Sequence, residues 1–217
     1  MKKIVALFLI TFLVVHSFGQ KAKFGVFVDP QITWLSPDSR DVISDGVAMG
    51  FYGGLLIDKY FQKNYAIHTG ISIGTQSGSL KFGKESYINS YGEMDTMAPG
   101  TTLDFRMNYI TVPLGLKLKS NQIGYLSYFA LIGFTNQFNI KARATSSEGS
   151  LEKSDIIEEI NLYNLAYHFG IGVEYAISED TALTFGATYH NGFIDITSNE
   201  NAKVYSRIVS LSLGVMF

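Results

Sequence analysis

The sequence predicts an all-β fold: an eight-stranded antiparallel up-and-down transmembrane β-barrel. Several segments alternate between apolar and polar residues, and a period of two is typical of a β-strand with two different faces. Past the amino terminus, no uncharged apolar run approaches the roughly 20 residues that a transmembrane helix needs. Short connections alternate with long ones along the chain. Together these patterns indicate a membrane protein that crosses the bilayer with strands.

The amino terminus has the pattern of a secretory signal peptide, residues 1–19. A short basic region precedes an uncharged apolar stretch, and Ser17 and Gly19 supply the small residues of a cleavage site. The sequence contains no Cys, so a disulfide framework is excluded despite the predicted export. We therefore expect residues 20–217 to form one barrel domain in the cell outer membrane.

The first four predicted strands each carry apolar residues in one phase. They are Lys23–Leu35, Val47–Tyr60, Tyr65–Ser77 and Leu103–Lys119. In-phase apolar residues include, in the same order, Phe24, Val26 and Val28; Met49, Phe51 and Leu55; Ile67, Ile71 and Ile73; and Ile110, Leu114 and Leu116. The intervening residues are mainly small or polar, so each segment predicts a strand with one apolar face.

The last four predicted strands are Ile123–Arg143, Leu165–Ile177, Thr181–Phe193 and Val204–Phe217. The sixth alternates most strictly, and the seventh and eighth follow the same pattern. The phase of the fifth strand is left open, because the adjacent Tyr128 and Phe129 are both large.

Connection lengths predict which end of the barrel faces outward. Short connections fall at Asp58–Asn64, Lys119–Gln122 and Ser178–Asp180, and long ones fall at Ser36–Gly46, Leu80–Thr102, Ala144–Asn161 and Gly192–Lys203. Short periplasmic turns and long extracellular loops are the rule in outer-membrane barrels. We therefore expect the long connections to lie outside the cell.

A soluble barrel with an apolar interior would also alternate, so the orientation of the faces needs separate evidence. The polar face consists largely of Gly, Ser, Thr and Ala, whereas a soluble exterior would carry Lys and Glu. Small residues suit the crowded interior of an eight-stranded barrel. Charged residues make up 17% of the chain, below the roughly 25% of soluble domains. These observations favour apolar residues facing lipid.

The fourth strand contains the segment Tyr109–Lys117, with the sequence YITVPLGLK. This segment resembles a Pro-containing strand of the PorT-like outer-membrane β-barrel family, and the Gly-rich second and third strands are also similar to that family. The resemblance implies an eight-stranded, porin-like barrel without catalytic residues, and one branch of the family is tied to type IX secretion. For Pro113 two interpretations stay open: a local bulge that re-aims Lys117, or the end of the membrane-embedded part of the strand.

The predicted interior contains polar and charged side chains that need partners, since buried charges are costly without them. We expect a lumen network of Lys117, Glu174, His68 and His168, with Glu174 paired to Lys117 or to a His. The network is interpreted either as a polar plug or as a proton-linked site in a narrow pore. The sequence shows no metal-ligand cluster and no phosphate-binding loop, so no cofactor is expected.

Three functions are compatible with these patterns. The first is a non-enzymatic barrel that is structural or binds a surface partner through its long loops, with Tyr87, Tyr91 and Met94 as contact candidates. The second, implied by the family resemblance alone, is an accessory component of protein secretion. The third is a lipid-modifying enzyme that would use His190, with Ser206 and Glu200 nearby.

Partners follow from the predicted location. We expect contacts with outer-membrane lipid and with a surface or secretion protein. Phe217 ends the eighth strand on its apolar face and is expected to be an assembly signal for the barrel-assembly machinery. The formal net charge of −2 argues against a nucleic-acid partner, which normally requires a basic excess.

Overall fold

The computed structural model describes residues 21–90, 93–148, 151–198 and 202–217, so the predicted signal peptide lies outside the described residues. Eight long strands dominate: β1 (Ala22–Pro37), β2 (Ala48–Gln62), β3 (Tyr65–Phe82), β4 (Thr102–Lys119), β5 (Leu126–Ser146), β6 (Tyr163–Ala176), β7 (Ala182–Gly192) and β8 (Val204–Met216). Each predicted strand overlaps one of these, although the ends differ by up to five residues. In the described ranges, no helix is long and apolar enough to cross a membrane.

The sheet closes on itself. Every strand pairs antiparallel with the next in sequence, and β8 pairs with β1. At the junction, the backbone N–H of Phe217 donates to the carbonyl of Phe24 at 2.7 Å, and the N–H of Phe24 donates to the carbonyl of Phe217 at 2.8 Å. The eight-stranded up-and-down barrel predicted from the sequence is confirmed.

Apolar side chains face outward around the barrel, as the residue types on the two faces predicted. Exposed positions on the barrel wall include Phe24, Val26, Leu55, Ile71, Leu114, Ile132, Phe169, Phe185 and Leu213, whereas buried inward positions include Gln31, His68, Lys117, Thr135, Asn164, Glu174 and Ser210. The open question about β5 is resolved, because Tyr128 is 52% exposed and Phe129 is 8% exposed. Of these two rings, the one that faces the lumen is therefore that of Phe129.

Both interpretations of Pro113 are wrong. β3 and β4 keep one register on either side of it, since Thr69 pairs with Leu114 and Ser72 pairs with Thr111. The outward face also stays apolar beyond Pro113, at the exposed Leu114, Leu116 and Leu118, so the lipid-facing part of the strand does not end at Pro113. The missing N–H is accommodated without an extra residue, and the Pro113 carbonyl accepts a hydrogen bond from Thr69 Oγ1 at 2.8 Å. Lys117 therefore points inward by simple alternation.

The bulge in this part of the barrel lies elsewhere. The pairing of β4 with β5 shifts between Asn108 and Tyr109, which pair with Lys141 and Asn139 respectively. Ile140 is the extra residue, and both Ile140 and Lys141 are exposed. Beyond this bulge, the outward phase of β5 changes from even-numbered to odd-numbered residues.

The long connections fold over the outer end of the barrel. A hairpin of Ser86–Ser90 and Glu93–Met97 lies there, together with the short strands Val42–Ser44 and Ser154–Asp155 and a 3-10 turn at Ile157–Glu159. We call these segments the extracellular cap. A cluster of buried apolar residues joins the cap to the inward faces of the strands: Leu35, Val42, Tyr52, Leu80, Ile88, Met97, Leu103, Phe105, Met107, Tyr109, Ala142, Ala144, Leu151, Ile156, Ile160, Ile196 and Val204.

Candidate functional site

An ion cluster occupies the end of the lumen near the short turns. Lys117 Nζ lies 2.5 Å from Glu174 Oε1 and 2.5 Å from Asp58 Oδ2. All three side chains are almost completely buried. The expected pairing of Glu174 with Lys117 is thus present in the structure.

Two further side chains extend this cluster. His68 Nδ1 lies 2.6 Å from Asp58 Oδ1, because β2 and β3 place these residues directly opposite each other. Lys119 Nζ contacts the second carboxylate oxygen of Glu174. Two ammonium groups therefore face two carboxylates, and this balance of charge is what makes burial of the four groups tolerable.

The aromatic ring of Phe129 packs against the ion cluster inside the lumen. Lys117 Nζ lies 4.6 Å from the centroid of its ring, within the range of a cation–π contact. The ring fits the lumen because β6 and β7 carry Gly beside it. A Cβ at Gly172 would come within 2.3 Å of Phe129 Cζ.

His168 does not join the ion cluster, contrary to the sequence prediction of one network. It lies in a second group, where Thr135 Oγ1 is 2.8 Å from His168 Nδ1 and 3.2 Å from His190 Nδ1. The two imidazole centroids are 5.6 Å apart. On β6, Glu174 comes six positions after His168, and six steps along an extended strand span about 20 Å. Side chains on one face of one strand can therefore belong to different layers of the lumen.

A cavity of about 100 Å³ lies between these groups. Its polar lining includes Asp29, Gln31, Thr111, Lys117, His168 and His190. The volume suits a few water molecules and is too small for a metabolite-sized ligand. In the ranges the structure describes, no group of three or more His, Asp or Glu side chains is arranged to hold a metal ion.

Of the residues in the enzyme hypothesis, the two that the structure describes, His190 and Ser206, are not hydrogen-bonded to each other. Ser206 Oγ accepts a hydrogen bond from Asn164 Nδ2 at 3.3 Å, whereas His190 contacts Thr135. Glu200 lies outside the described residues. A nucleophile needs its base at hydrogen-bond distance, and these contacts engage Ser206 and His190 with other partners.

Two of the three loop candidates lie on one face of the cap hairpin. Tyr87 is 53% exposed and Met94 is 68% exposed, and Tyr91 lies outside the described residues. Tyr87 pairs with Thr96, and Asn89 pairs with Met94. Because side chains alternate along a strand, this register places Tyr87 and Met94 on the same outer face.

The sequence prediction of the lumen network missed Asp58 and Lys119. Asp58 was assigned to a short connection, although it continues the inward phase opposite to Leu55 and Ile57. Lys119 is two residues beyond Lys117 and therefore shares its face. Alternation carried to the strand ends would have identified both residues.

The chain matches the family described as outer membrane protein beta-barrel domain over residues 18–198. No curated protein sequence matches it.

Among solved structures, the outer membrane protein OprG from Pseudomonas aeruginosa is similar with a TM-score of 0.53 at 10% identity, covering 91% of this chain and 97% of that chain. Neisserial surface protein A gives a TM-score of 0.46 at 17% identity, covering 90% and 97%. Ail, the attachment invasion locus protein of Yersinia pestis, gives 0.40 at 14% identity, covering 91% and 99%. At 10% identity, the likeness to OprG concerns the fold alone.

Proposed function

We propose that this chain, which belongs to the outer membrane protein beta-barrel domain family, acts in the outer membrane as a non-enzymatic barrel that binds a protein partner through its long extracellular loops. Two features support the proposal. The lumen is filled at two levels, and the extracellular cap presents large apolar side chains on an anchored hairpin.

The filled lumen argues against transport through the barrel. The ion cluster around Lys117 blocks the half near the short turns, and Leu35, Met107 and Tyr109 from the barrel strands fill the half near the cap. The interior of an eight-stranded barrel is just wide enough for side chains to fill it. The loops are therefore the part of the molecule best suited to carry its function.

The cap hairpin is anchored on its inner side. Ile88 and Met97 are buried against the apolar cluster that joins the cap to the barrel. Asn89, which lies on the same face as Tyr87 and Met94, holds the other side of the hairpin to the 3-10 turn: its backbone N–H donates to Glu159 Oε1 at 2.9 Å, and its Nδ2 donates to Glu158 Oε2 at 3.0 Å. A surface held in this way loses little conformational entropy when a partner binds.

The outer face of the same hairpin is the surface that would contact the partner. Tyr87 and Met94 are both more than half exposed, although Met is a residue type that is usually buried. Aromatic and Met side chains are enriched in protein interfaces. Their position on an anchored hairpin at the extracellular end fits a preformed contact surface.

The proposal is tested by capture of the partner from intact cells. Tagged protein is crosslinked on the cell surface, purified from detergent-solubilised membranes and analysed by mass spectrometry. The double variant Tyr87→Ala/Met94→Ala should recover about tenfold less partner than the wild type, as expected for loss of central interface side chains. Ile43→Ala is the matched control, because Ile43 is also an exposed apolar residue of the cap.

Recovery of the same partner in equal amount from all three proteins would contradict a role for this hairpin. Failure to recover any stoichiometric partner from wild-type cells would contradict the binding function and favour a barrel that only supports the membrane.

A second proposal concerns the kind of partner. The segment Tyr109–Lys117 resembles the PorT-like family, and this resemblance supports an accessory role in type IX secretion. A deletion strain should then accumulate secretion cargo inside the cell. Normal secretion by the deletion strain would contradict the accessory role in secretion. It would not contradict the binding of a partner by the loops.

A further inference from the structure

A group of basic side chains lies on the outer wall of the barrel, beyond the apolar band, on β4, β5 and the loop that follows. Arg106, Lys141, Arg143 and Lys153 are all exposed. We call these four residues the basic patch. Together with neighbouring hydroxyl side chains, they line a groove of about 570 Å³ whose other polar residues are Thr75, Ser77, Ser79, Asp104, Asn108 and Thr145.

Two arginines of the basic patch stand directly opposite each other. Arg106 on β4 pairs in register with Arg143 on β5, and the next outward pair is Asn108 with Lys141. Like charges directly opposite across two strands destabilise a sheet. An anion between the two guanidinium groups would convert this repulsion into attraction.

Neighbouring carboxylates do not neutralise the basic patch. Asp104 accepts a hydrogen bond from Ser79 Oγ at 2.5 Å, and Asp155, which is opposite Arg143, accepts one from the backbone N–H of Ile157 at 3.0 Å. Among the described residues, no salt bridge joins a carboxylate to any of the four cations. Among the described residues that line the groove, four are cations and one, Asp104, is a carboxylate, so the groove itself carries a net positive charge.

The bulge at Ile140 is what places two members of the basic patch on the outer wall. Before it, even-numbered residues such as Phe138 face outward; after it, Lys141 and Arg143 face outward and Ala142 faces inward. Bulges commonly re-aim side chains next to functional sites. Here the bulge coincides with the change from an apolar to a basic outer surface.

The height of the basic patch corresponds to the lipid headgroups. Ile110 on β4 and Ile73 on β3 are cross-strand neighbours, and on these two strands they are the last apolar residues of the outward face before polar residues begin. Arg106 lies four residues beyond Ile110, which is about 13 Å along the strand and about 10 Å along the membrane normal for a tilt of about 40°. The patch also faces sideways from the barrel, toward neighbouring lipid.

We propose that the basic patch binds the phosphate groups of a lipid headgroup in the outer leaflet of the membrane. Arg side chains bind phosphate through two parallel hydrogen bonds, and the facing pair Arg106 and Arg143 provides two such forks. A lipid is favoured over free phosphate, because the apolar wall at Ile73 and Ile110 would contact the acyl chains of the same molecule.

The test measures lipid affinity of the full-length protein in a zwitterionic detergent by native mass spectrometry. Diphosphorylated lipid A is the probe, and a phosphate-free form of the same lipid and inorganic phosphate are the comparison ligands. Arg106→Gln/Arg143→Gln should bind lipid A about tenfold more weakly than wild type or worse, given the loss of charge-assisted hydrogen bonds. Lys21→Gln/Lys63→Gln, which removes the same charge from exposed residues at the short-turn end, should bind like wild type.

Folding is checked in every variant by heat-modifiable mobility on gels. Arg106→Lys/Arg143→Lys should keep part of the affinity, because the charge remains but the forked geometry is lost. Equal affinity of the patch variant and the Lys21/Lys63 control would overturn the proposal, and so would equal binding of the phosphate-free lipid. Binding of inorganic phosphate as tight as that of lipid A would overturn the assignment to a lipid.

Discussion

Lys117 Nζ and Glu174 Oε1 lie 2.5 Å apart inside the barrel, although β5 separates the strands that carry them. Their side chains are only 4% and 2% exposed. The pair therefore bridges non-adjacent strands across the lumen, above the ring of Phe129. Because Lys117 also contacts Asp58, the cluster joins β2, β4 and β6 and fills the interior at the level where a pore would have to pass.

Lys117→Met should destabilise the barrel strongly. The substitution leaves Asp58 and Glu174 buried without their shared cation, and breaking a buried ion pair from one side costs about 3–5 kcal/mol. His68 and Lys119 still contact the two carboxylates, so the lower end of that range is expected. Urea unfolding in lipid vesicles, followed by the fluorescence of Trp34, measures the loss.

Glu174→Gln provides the second arm of a double-mutant cycle. Alone it should cost less than Lys117→Met, because Lys117 keeps Asp58 as a partner. Combined with Lys117→Met, it should recover stability, with a coupling free energy of about 1–3 kcal/mol between the two positions. Strict additivity of the two substitutions would mean that the pair seen in the structure contributes nothing.

Alternation predicted the strands and the direction of their faces, because one polar or charged residue among apolar ones fixes the phase of a whole strand. Tyr128 and Phe129 gave no such information, since either ring suits lipid or lumen. The bulge at Ile140 was also beyond sequence reasoning: Ile140 and Lys141 form an ordinary apolar–polar step, and only the partner strand reveals the extra residue.

Val173→Arg tests which face of β6 contacts lipid. Val173 lies on the outer wall with Val26, Leu183 and Leu213. An Arg near the bilayer midplane costs roughly 2–4 kcal/mol, so folding into vesicles should be impaired. Ser36→Arg, at the extracellular end of β1, is the control and should fold normally. Normal folding of Val173→Arg would contradict the apolar-out orientation.

Gly172→Ala tests the fit of Phe129 in the lumen. The added methyl group would meet Phe129 Cζ at 2.3 Å and the Phe185 carbonyl at 2.5 Å, so the ring that supports Lys117 must move. Overpacking of this kind costs about 1–3 kcal/mol. At Gly53 the nearest heavy atom lies 3.5 Å from the added Cβ, so Gly53→Ala should leave the urea midpoint close to that of wild type. Equal midpoints for both variants would show that Phe129 is loosely held.

The membership of the lumen groups was only partly predictable from the sequence. The alternation of side chains along each strand places His68, His168 and Glu174 on inward faces. It does not show how far along the barrel axis each side chain lies. Height depends on the register of neighbouring strands, which brings His68 opposite Asp58 and His168 opposite His190. Strand tilt and stagger are properties of the closed sheet, and no local pattern encodes them.

Phe217 is proposed as an assembly signal, and its deletion separates that role from simple packing. Its ring is exposed on the outer wall, and its backbone pairs with Phe24. Removal should lower the yield of folded protein in cells severalfold while refolding in detergent stays near the wild-type yield. Phe217→Tyr keeps an aromatic ring and is the control. Equal losses in cells and in detergent would assign Phe217 to stability alone.

The ion conductance of the purified wild-type protein in planar lipid bilayers tests whether the lumen is closed. The ion cluster and the apolar residues beneath the extracellular cap should together block the passage of ions, which would leave the loops as the functional part of the molecule. Wild-type barrels should insert without producing conductance steps. Lys117→Ala/Phe129→Ala should also remain silent, because Leu35 and Tyr109 still fill the outer half. Reproducible conductance steps from the wild-type protein would contradict a closed lumen.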